Sequence, residues 1–305
     1  MVNRIVSLIP SGTEIVSALG CADKLVGRSH ECDYPTLVEP LPVCTSPKFD
    51  TSVPSVEIDK SVRNLVENAL SVYRVHDDVL GSLTPDAIVT QSQCELCAVS
   101  QSDVEASVAS VLNDDTAIAS MEAVDLAGLW RDITHTGEVI GVDPEPLLDR
   151  LKARIDTIRH RVPDGRQPRV ACLEWIEPLM FAGNWVPELV ALAGGEDVFG
   201  KAGDHSTVIS WEQVQAADPD IVILMPCGYD LERTREEIPL LTKLRGWETL
   251  RAAREGSIYI TDGNHYFNRP GLRLVDSLEI LVEILHSPDP NLARKGVSWE
   301  PADTP

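Results

Sequence analysis

An internal repeat is the feature that most constrains the fold of this chain. Residues 13–20 (TEIVSALG) follow an apolar, strand-like run, and residues 187–194 (PELVALAG) do the same far downstream. A second pair, TPDAIV at residues 84–89 and DPDIVI at residues 218–223, places Pro-Asp directly before an apolar strand. The sequence therefore predicts two similar α/β lobes, and a cleft between two lobes is where a small ligand is expected.

The apolar pattern in each half alternates between short buried strands and amphipathic helices. Strands are predicted at residues 4–9, 24–28, 86–90, 116–120, 169–174, 220–225 and 257–261, and helices at residues 59–72, 103–112, 125–140, 232–241 and 272–285. Between the halves, Asp143 and Pro144 supply a helix start, and this helix can extend to Arg161 before Pro163 ends it. The predicted fold class is α/β, with two Rossmann-like lobes joined by one long backbone helix.

Four segments follow from this pattern. They are a first α/β lobe at residues 1–142, a linking helix at residues 143–163, a second α/β lobe at residues 164–288 and a disordered tail at residues 289–305. A helix of about 18 residues spans ~27 Å at 1.5 Å per residue. Because a single rigid helix permits only small rocking motions, we expect the cleft to be largely preformed.

Acidic residues dominate the charge of the chain. The 48 Asp and Glu against 26 Lys and Arg give a formal net charge of −22, which argues against nucleic acid or an anionic membrane surface as a partner. Residues 1–10 enter a strand at once, and no apolar run reaches the ~18 residues of a membrane span. Together with seven cysteines, which favour free thiols, this predicts a cytoplasmic protein. A periplasmic or extracellular location is expected only if a leader was removed.

The motifs of the common enzyme classes are missing from the sequence. It has no Gly-x-Ser-x-Gly, no Gly-x-x-x-x-Gly-Lys, no His-Glu-x-x-His and no Rossmann glycine fingerprint, which favours a non-enzymatic protein. Cys94 and Cys97 have the spacing of half a metal site or of a redox pair. His30, with Glu31 or Cys32 beside it, could complete a site for zinc or another thiophilic ion. A pair of reduced structural thiols is the alternative.

Several of these motifs, taken in order, resemble one known family. Residues 5–14 (IVSLIPSGTE), residues 29–35 (SHECDYP), the two Pro-Asp strand starts and residues 194–199 (GGEDVF) are similar to the solute-binding proteins for cobalamin and iron chelates that serve ABC importers. The resemblance covers about residues 4 to 286. It implies the helical-backbone type of solute-binding protein, class III, with a bulky metal chelate held between the lobes. A cytosolic branch with the cobalamin-binding label is the most similar variant, because Cys94 and Cys97 stand where exported cobalamin binders have an aromatic residue.

The resemblance also implies which residues contact the ligand and a partner. Ligand contacts are expected at His30, Glu31, Gln91, Gln93, Cys94 and Cys97 in the first lobe, and at Glu174, Trp175, Trp185, Tyr229, His265, Tyr266 and Arg269 in the second. An aromatic ring in such a loop can lie flat on a planar macrocycle. Exported members present one acid per lobe to arginines of the permease, and the corresponding residues are Asp77 and Glu212.

Three functions are therefore considered. The first is a receptor that binds cobalamin or a related corrinoid in the cleft, as a carrier in the cytoplasm. The second is a metallochaperone or enzyme that uses His30, Cys94 and Cys97 to hold a metal ion, and this ligand set suits zinc. The third is a subunit of an ABC importer.

Overall fold

Two compact α/β units make up the chain. The computed structural model describes residues 1–67, 72–92, 109, 116–286 and 294–302. The first unit comprises Met1–Arg150 and the second Leu151–Pro305. One helix, Glu145–Arg159, contains the boundary between them. The predicted α/β fold with two lobes joined by a helix is confirmed.

The elements of each unit alternate along the chain. The first unit contains β1 (Ile5–Ser7), α1 (Pro10–Val16), β2 (Leu25–Arg28), β3 (Thr45–Pro47), α2 (Ser55–Glu67), β4 (Tyr73–Val75), α3 (Asp77–Leu83), β5 (Ala87–Gln91), β6 (Ala117–Met121), α4 (Leu126–Ile140) and the start of α5 (Glu145–Arg159). The second contains the rest of α5, then β7 (Arg169–Trp175), β8 (Met180–Phe181), α6 (Val186–Leu192), β9 (Glu196–Asp197), β10 (Thr207–Val208), α7 (Trp211–Ala217), β11 (Ile221–Leu224), α8 (Leu231–Thr242), α9 (Arg251–Arg254), β12 (Ile258–Thr261), α10 (Leu274–His286) and β13 (Trp299–Pro301). None of the described helices is both long and apolar enough to cross a membrane.

Each unit is built around a sheet whose central strands are parallel. In the first unit the strand order is β2-β1-β5-β6, all parallel, and β3 and β4 form a separate antiparallel pair. In the second the order is β10-β8-β7-β11-β12-β13, with β7, β11 and β12 parallel and β9 also paired to β7. The central strands β5 and β11 are buried along their whole length, as strands covered by helices on both faces require.

The repeated Pro-Asp motif anchors the same pair of strands in both units. Thr84 and Asp218 end helices α3 and α7 in the left-handed conformation, at φ 40° and 39°. In the first unit, Asp86 donates its backbone N–H to Arg4 O at 2.8 Å, and its carboxylate accepts from the backbone N–H of Arg4 at 3.0 Å. In the second unit, Asp220 and Arg169 make the same two contacts, at 2.8 and 2.9 Å. The motif therefore fixes the start of the central strand to its neighbour.

The structure corrects two of the predicted elements. The Ser-x-x-Glu spacing at residues 11–14 predicts a capping box, but α1 begins at Pro10 with Ile9 at its N-cap and no side-chain cap. The tail predicted to be disordered contains β13, which pairs with β12 and buries Trp299 at 4 % exposure. The Ser-x-x-Gln spacing at residues 210–213 predicts a second capping box, and this one is present with both of its hydrogen bonds.

One carboxyl group should make the stability depend on pH. Asp197 Oδ1 accepts from the backbone N–H groups of Phe199 and Gly200, whereas Oδ2 is buried without a hydrogen-bond partner among the described residues. Burial raises the pKa of Asp197 from 3.8 to about 6. Because the folded protein binds this proton more tightly than the unfolded chain, the stabilisation is complete below pH 3.8 and is lost as the pH rises through about 6.

We therefore expect Asp197→Asn to gain stability relative to the original protein as the pH rises from 4 to 7. The relative gain should be on the order of 2–3 kcal/mol, measured by urea unfolding at several pH values. Asp50→Asn is the control. Ser52 lowers the pKa of that exposed carboxyl, so this variant should not gain stability relative to the original protein as the pH rises. A difference between the Asp197 variant and the original protein that stays constant with pH would contradict the prediction.

Candidate functional site

In the second unit, three loops meet at the carboxyl ends of adjacent parallel strands. The loops follow β7, β11 and β12, and ligands of open α/β sheets bind outside such strand ends. Cys227 donates its backbone N–H to Glu174 O at 3.1 Å, and Asn264 donates to Tyr229 O at 3.0 Å. The Asn268 side chain donates to Met225 O at 2.9 Å. These bonds join the three loops into one surface.

An aromatic pair lies on this surface. The rings of Trp175, the last residue of β7, and Tyr229, after β11, have centroids 5.5 Å apart and are inclined by 54°. Tyr229 is 4 % exposed, whereas Trp175 is partly exposed and donates its indole N–H to Glu177 O at 3.1 Å. The Arg233 guanidinium lies 5.0 Å from the centre of the Tyr229 ring. Trp175 is therefore the ring that can reach a ligand, and Tyr229 supports it.

The loop after β12 contains a histidine of fixed orientation. The backbone N–H of His265 donates to Asp262 Oδ1 at 2.8 Å, and His265 Nδ1 lies 2.6 Å from Asp262 Oδ2. A carboxylate in this position selects the tautomer and holds the imidazole ring in place. In the same loop Arg269, which is 7 % exposed, donates to Asn264 Oδ1 at 3.0 Å. The buried Asp262 and Arg269 thus fix the loop, whereas His265 and Tyr266 remain partly exposed.

Trp185, predicted as a ligand contact, is buried within the second unit. It is 5 % exposed, and its indole N–H donates to the backbone carbonyl of Phe267 at 2.8 Å. Because Phe267 ends the turn Gly263–Phe267, Trp185 supports that loop from within the unit. Its burial favours a positioning role over a direct contact.

In the first unit, His30 follows β2 and is held by two hydroxyl groups. Its Nδ1 lies 2.8 Å from Thr45 Oγ1, which also accepts from the His30 backbone N–H at 3.1 Å. Thr45 Oγ1 also lies 3.1 Å from Ser29 Oγ, so the two hydroxyl groups and the imidazole form one hydrogen-bonded cluster. The His30 Nε2 lies 4.0 Å from Glu31 Oε1, and the Tyr73 hydroxyl is 3.4 Å from the same oxygen.

His30 is uncharged at neutral pH. Its pKa is lowered from 6.5 to about 4, mainly because burial disfavours the charged form, with His76 and Arg28 adding positive potential. A neutral imidazole keeps one ring nitrogen with a free lone pair. The side chain is 23 % exposed, so this nitrogen is chemically suited to coordinate a metal or accept a hydrogen bond.

The remaining predicted contacts in the first unit fall into two groups. Gln91 ends β5 and is 2 % exposed. Gln93, Cys94 and Cys97 lie outside the described residues, so the metal site proposed for His30 with these cysteines stays a prediction. Within the described ranges no group of three or more His, Cys, Asp or Glu residues is placed to hold a metal ion.

The two predicted docking acids are exposed at the first turns of short helices. Asp77 begins α3 and Glu212 is the second residue of α7. Counting back from the repeated Thr84 and Asp218, the residue equivalent to Glu212 is Asp78, one position later than predicted, and it is exposed as well. The repeat therefore identifies Asp78 as the better match.

Sequence reasoning missed several residues that hold the site. Asp262 could have been recognised, since an aspartate at a strand end three residues before a histidine is a common cap. Thr45 and Tyr73 could not, because they lie on the small β3–β4 sheet, and neither strand had been predicted. Arg233 was likewise missed, since it lies on an exposed helix whose pattern only predicts amphipathicity.

The geometry of two α/β units agrees with a comparison against known families. The sequence profile described as "Periplasmic binding protein" matches residues 5–264, which is most of the chain. The chain belongs to the periplasmic binding protein family. It is thus a solute-binding protein and not an enzyme.

Curated relatives and solved structures extend this likeness. The vitamin B12-binding protein of Yersinia pestis is 22 % identical over 235 residues, which cover 72 % of this chain and 69 % of the relative. A possible iron-binding, periplasmic solute-binding protein of Staphylococcus epidermidis superposes with a TM-score of 0.72 at 20 % identity, covering 94 % of this chain and 99 % of its own. The periplasmic vitamin B12-binding protein of Vibrio cholerae gives 0.65 at 19 %, covering 93 % and 96 %. At these identities the solved structures show the shared fold.

The expected cytoplasmic location is wrong. The family is that of periplasmic binding proteins, and the structures from Staphylococcus epidermidis and Vibrio cholerae are both described as periplasmic. The prediction relied on the absence of an apolar export segment in the first residues, which does not outweigh a family match over residues 5–264.

Proposed function

We propose that this solute-binding protein binds a metal-containing chelate, cobalamin or a related corrinoid, and delivers it to an ABC permease. The observation that carries the proposal is the partly exposed Trp175, supported by Tyr229 at the joined strand ends of the second unit. A large ring supported from behind offers a flat apolar face to a macrocycle and loses little entropy on binding. His265, held by Asp262 in the same surface, supplies a polar group of fixed direction.

Relatives that are named for their ligands support this choice of chelate. The Yersinia pestis and Vibrio cholerae proteins are both named for vitamin B12. A periplasmic heme-binding protein of Roseiflexus superposes with a TM-score of 0.68 at 21 % identity, covering 93 % of this chain and 98 % of its own. Heme is therefore the second candidate, and it shares with a corrinoid the planar, metal-centred macrocycle.

The first unit offers a further group that suits such a ligand. The neutral His30 has one unprotonated ring nitrogen, which can coordinate a metal or accept a hydrogen bond from an amide of a corrinoid. Glu31, whose carboxylate lies 4.0 Å from His30 Nε2, adds a negative charge that favours a cationic metal centre. We therefore keep His30 and Glu31 as proposed ligand contacts.

We further propose that the exposed acids on α3 and α7 meet basic residues of the permease. Glu212 and either Asp77 or Asp78 stand in the first turns of these helices, with their carboxylates in solvent. Carboxylates of this kind suit bidentate pairing with arginine.

Titration of the purified protein with cyanocobalamin, hemin and zinc tests the proposed ligand. We expect cyanocobalamin to bind with a Kd of about 1 μM or tighter, corresponding to about −8 kcal/mol, measured by calorimetry and by the visible spectrum. If hemin binds and cyanocobalamin does not, the proposed ligand is heme and not a corrinoid. Tight uptake of zinc with neither chelate bound would instead support the predicted ion site.

A further inference from the structure

Residues 294–302, the described part of the C-terminal tail, are folded onto the second unit beyond the segment that matches the family. The match ends at residue 264, whereas β13 pairs antiparallel with β12 through Thr261 and Trp299, Ile260 and Glu300, and Tyr259 and Pro301. The Trp299 indole N–H donates to Glu283 Oε2 on α10 at 2.8 Å. The tail is therefore fixed to both the sheet and α10.

The tail contacts the loop that carries two of the proposed ligand contacts. Asp262 donates its backbone N–H to Ser298 O at 2.9 Å, and the Asp262 carboxylate holds His265. Arg294 donates to Asp276 Oδ1 at 2.6 Å and to Glu279 Oε2 at 2.9 Å. Its guanidinium lies 5.9 Å from the centre of the Tyr266 ring. One short segment thus reaches the residues on either side of His265.

The Tyr266 ring lies beside an open space and near two arginines. A cavity of about 460 Å³ is bordered by Tyr266, by Arg161, by Glu279 and Glu283 on α10, and by Arg294, Val297 and Ser298 of the tail. Arg273 lies 5.8 Å from the ring centre and Arg294 lies 5.9 Å from it, so both arginines are within cation–π range. Asp276 and Glu279 fix the Arg294 guanidinium beside the ring.

We infer that the tail is a positioning element for chelate binding, in which Arg294 and Ser298 hold the Asp262–Tyr266 loop in its binding conformation. This inference rests on the proposed function, since His265 and Tyr266 belong to the proposed ligand surface. It assigns Arg294 a role that the family profile does not cover, because the profile ends before this residue.

The alternative is that the tail only protects the edge of the sheet. An unpaired edge strand favours aggregation, and β13 covers β12 in any case. The ion pair between Arg235 and Glu300, 2.6 Å apart, separates these roles because it joins the tail to α8, an element outside the loop at residues 262–268. Its loss should loosen the edge strand, whereas loss of Arg294 should loosen the loop.

The experiment compares Arg294→Gln, Arg294→Lys and Arg235→Gln with the original protein in two measurements. The first is calorimetric titration with cyanocobalamin. Arg294→Gln should lower the affinity about tenfold, the loss expected for a charge-assisted contact, and Arg294→Lys should restore part of it. The second is amide hydrogen exchange of residues 262–268 in the ligand-free protein, which should become faster in Arg294→Gln and stay unchanged in Arg235→Gln.

Each outcome decides between the inference and its alternative. Unchanged exchange of the loop in Arg294→Gln overturns the inference, whether or not a chelate binds. Equal loss of affinity in Arg294→Gln and Arg235→Gln also overturns it, since general loosening of the tail then suffices. Faster exchange of the loop in a protein that fails to bind cyanocobalamin supports the positioning role and shows that the proposed ligand is wrong.

Discussion

Replacing Gly263 by alanine is expected to lower the free energy of unfolding by about 3 kcal/mol, the upper range for overpacking a crowded position. A Cβ atom at this residue would lie 2.3 Å from Pro226 O and 2.8 Å from Met225 C. These are backbone atoms, and Met225 O also accepts the side-chain hydrogen bond of Asn268 at 2.9 Å. The loops after β11 and β12 would therefore have to separate, which disrupts the proposed ligand surface.

Gly20→Ala is the matched control for this prediction. Gly20 has a φ of +82°, and a Cβ atom there would meet no heavy atom of the described chain within 4 Å. The cost should be about 1 kcal/mol, from backbone strain alone. Urea unfolding of both variants measures the difference. Equal losses would mean that the close approach at Gly263 is relieved without separating the loops.

Trp175→Ala should weaken cyanocobalamin binding about thirtyfold, the effect of removing a central aromatic contact. The substitution removes the partly exposed ring that packs against Tyr229 at a centroid distance of 5.5 Å. Calorimetric titration measures the loss, and Trp175→Phe should retain part of the affinity because it keeps an aromatic face.

Trp211→Ala controls for a general effect of losing an indole. Trp211 stacks on Trp247 with ring centres 5.9 Å apart, and its indole N–H donates to Arg245 O at 2.9 Å. This variant should lose stability and keep its affinity for cyanocobalamin. If folded Trp175→Ala binds cyanocobalamin as tightly as the original protein, the aromatic pair is not the ligand surface.

The sequence predicted those parts of the fold that are encoded locally. The Pro-Asp repeats predicted equivalent strands, and the structure shows why, because Asp86 and Asp220 make the same backbone contacts. The Ser210 capping box was predicted for the same reason, since all its atoms lie within one helical turn. Where the position of a residue depends on contacts with residues distant in sequence, the sequence pattern did not predict it.

Long-range contacts explain the features that were missed. Trp185 looked like a ligand contact because it lies in a strand-to-helix segment, yet its indole N–H reaches Phe267 O from 82 residues away. The tail was predicted to be disordered because it is polar and rich in proline. In the structure, however, Trp299 donates a hydrogen bond to Glu283 and packs edge-on against the Tyr259 ring. At the candidate site, the strand-end positions of His30, Trp175 and His265 were predictable, and the groups that orient them were not.

The equivalent left-handed ends of helices α3 and α7 also limit changes of chain length near the exposed acids. Glu212 lies six positions before Asp218, whose left-handed conformation leads directly into the Pro-Asp motif. An inserted or deleted residue in this interval would rotate the carboxylate by about 100° around the helix axis, since a helical turn contains about 3.6 residues. Substitutions that keep an acid are therefore compatible with this surface, whereas changes of length redirect the charge altogether.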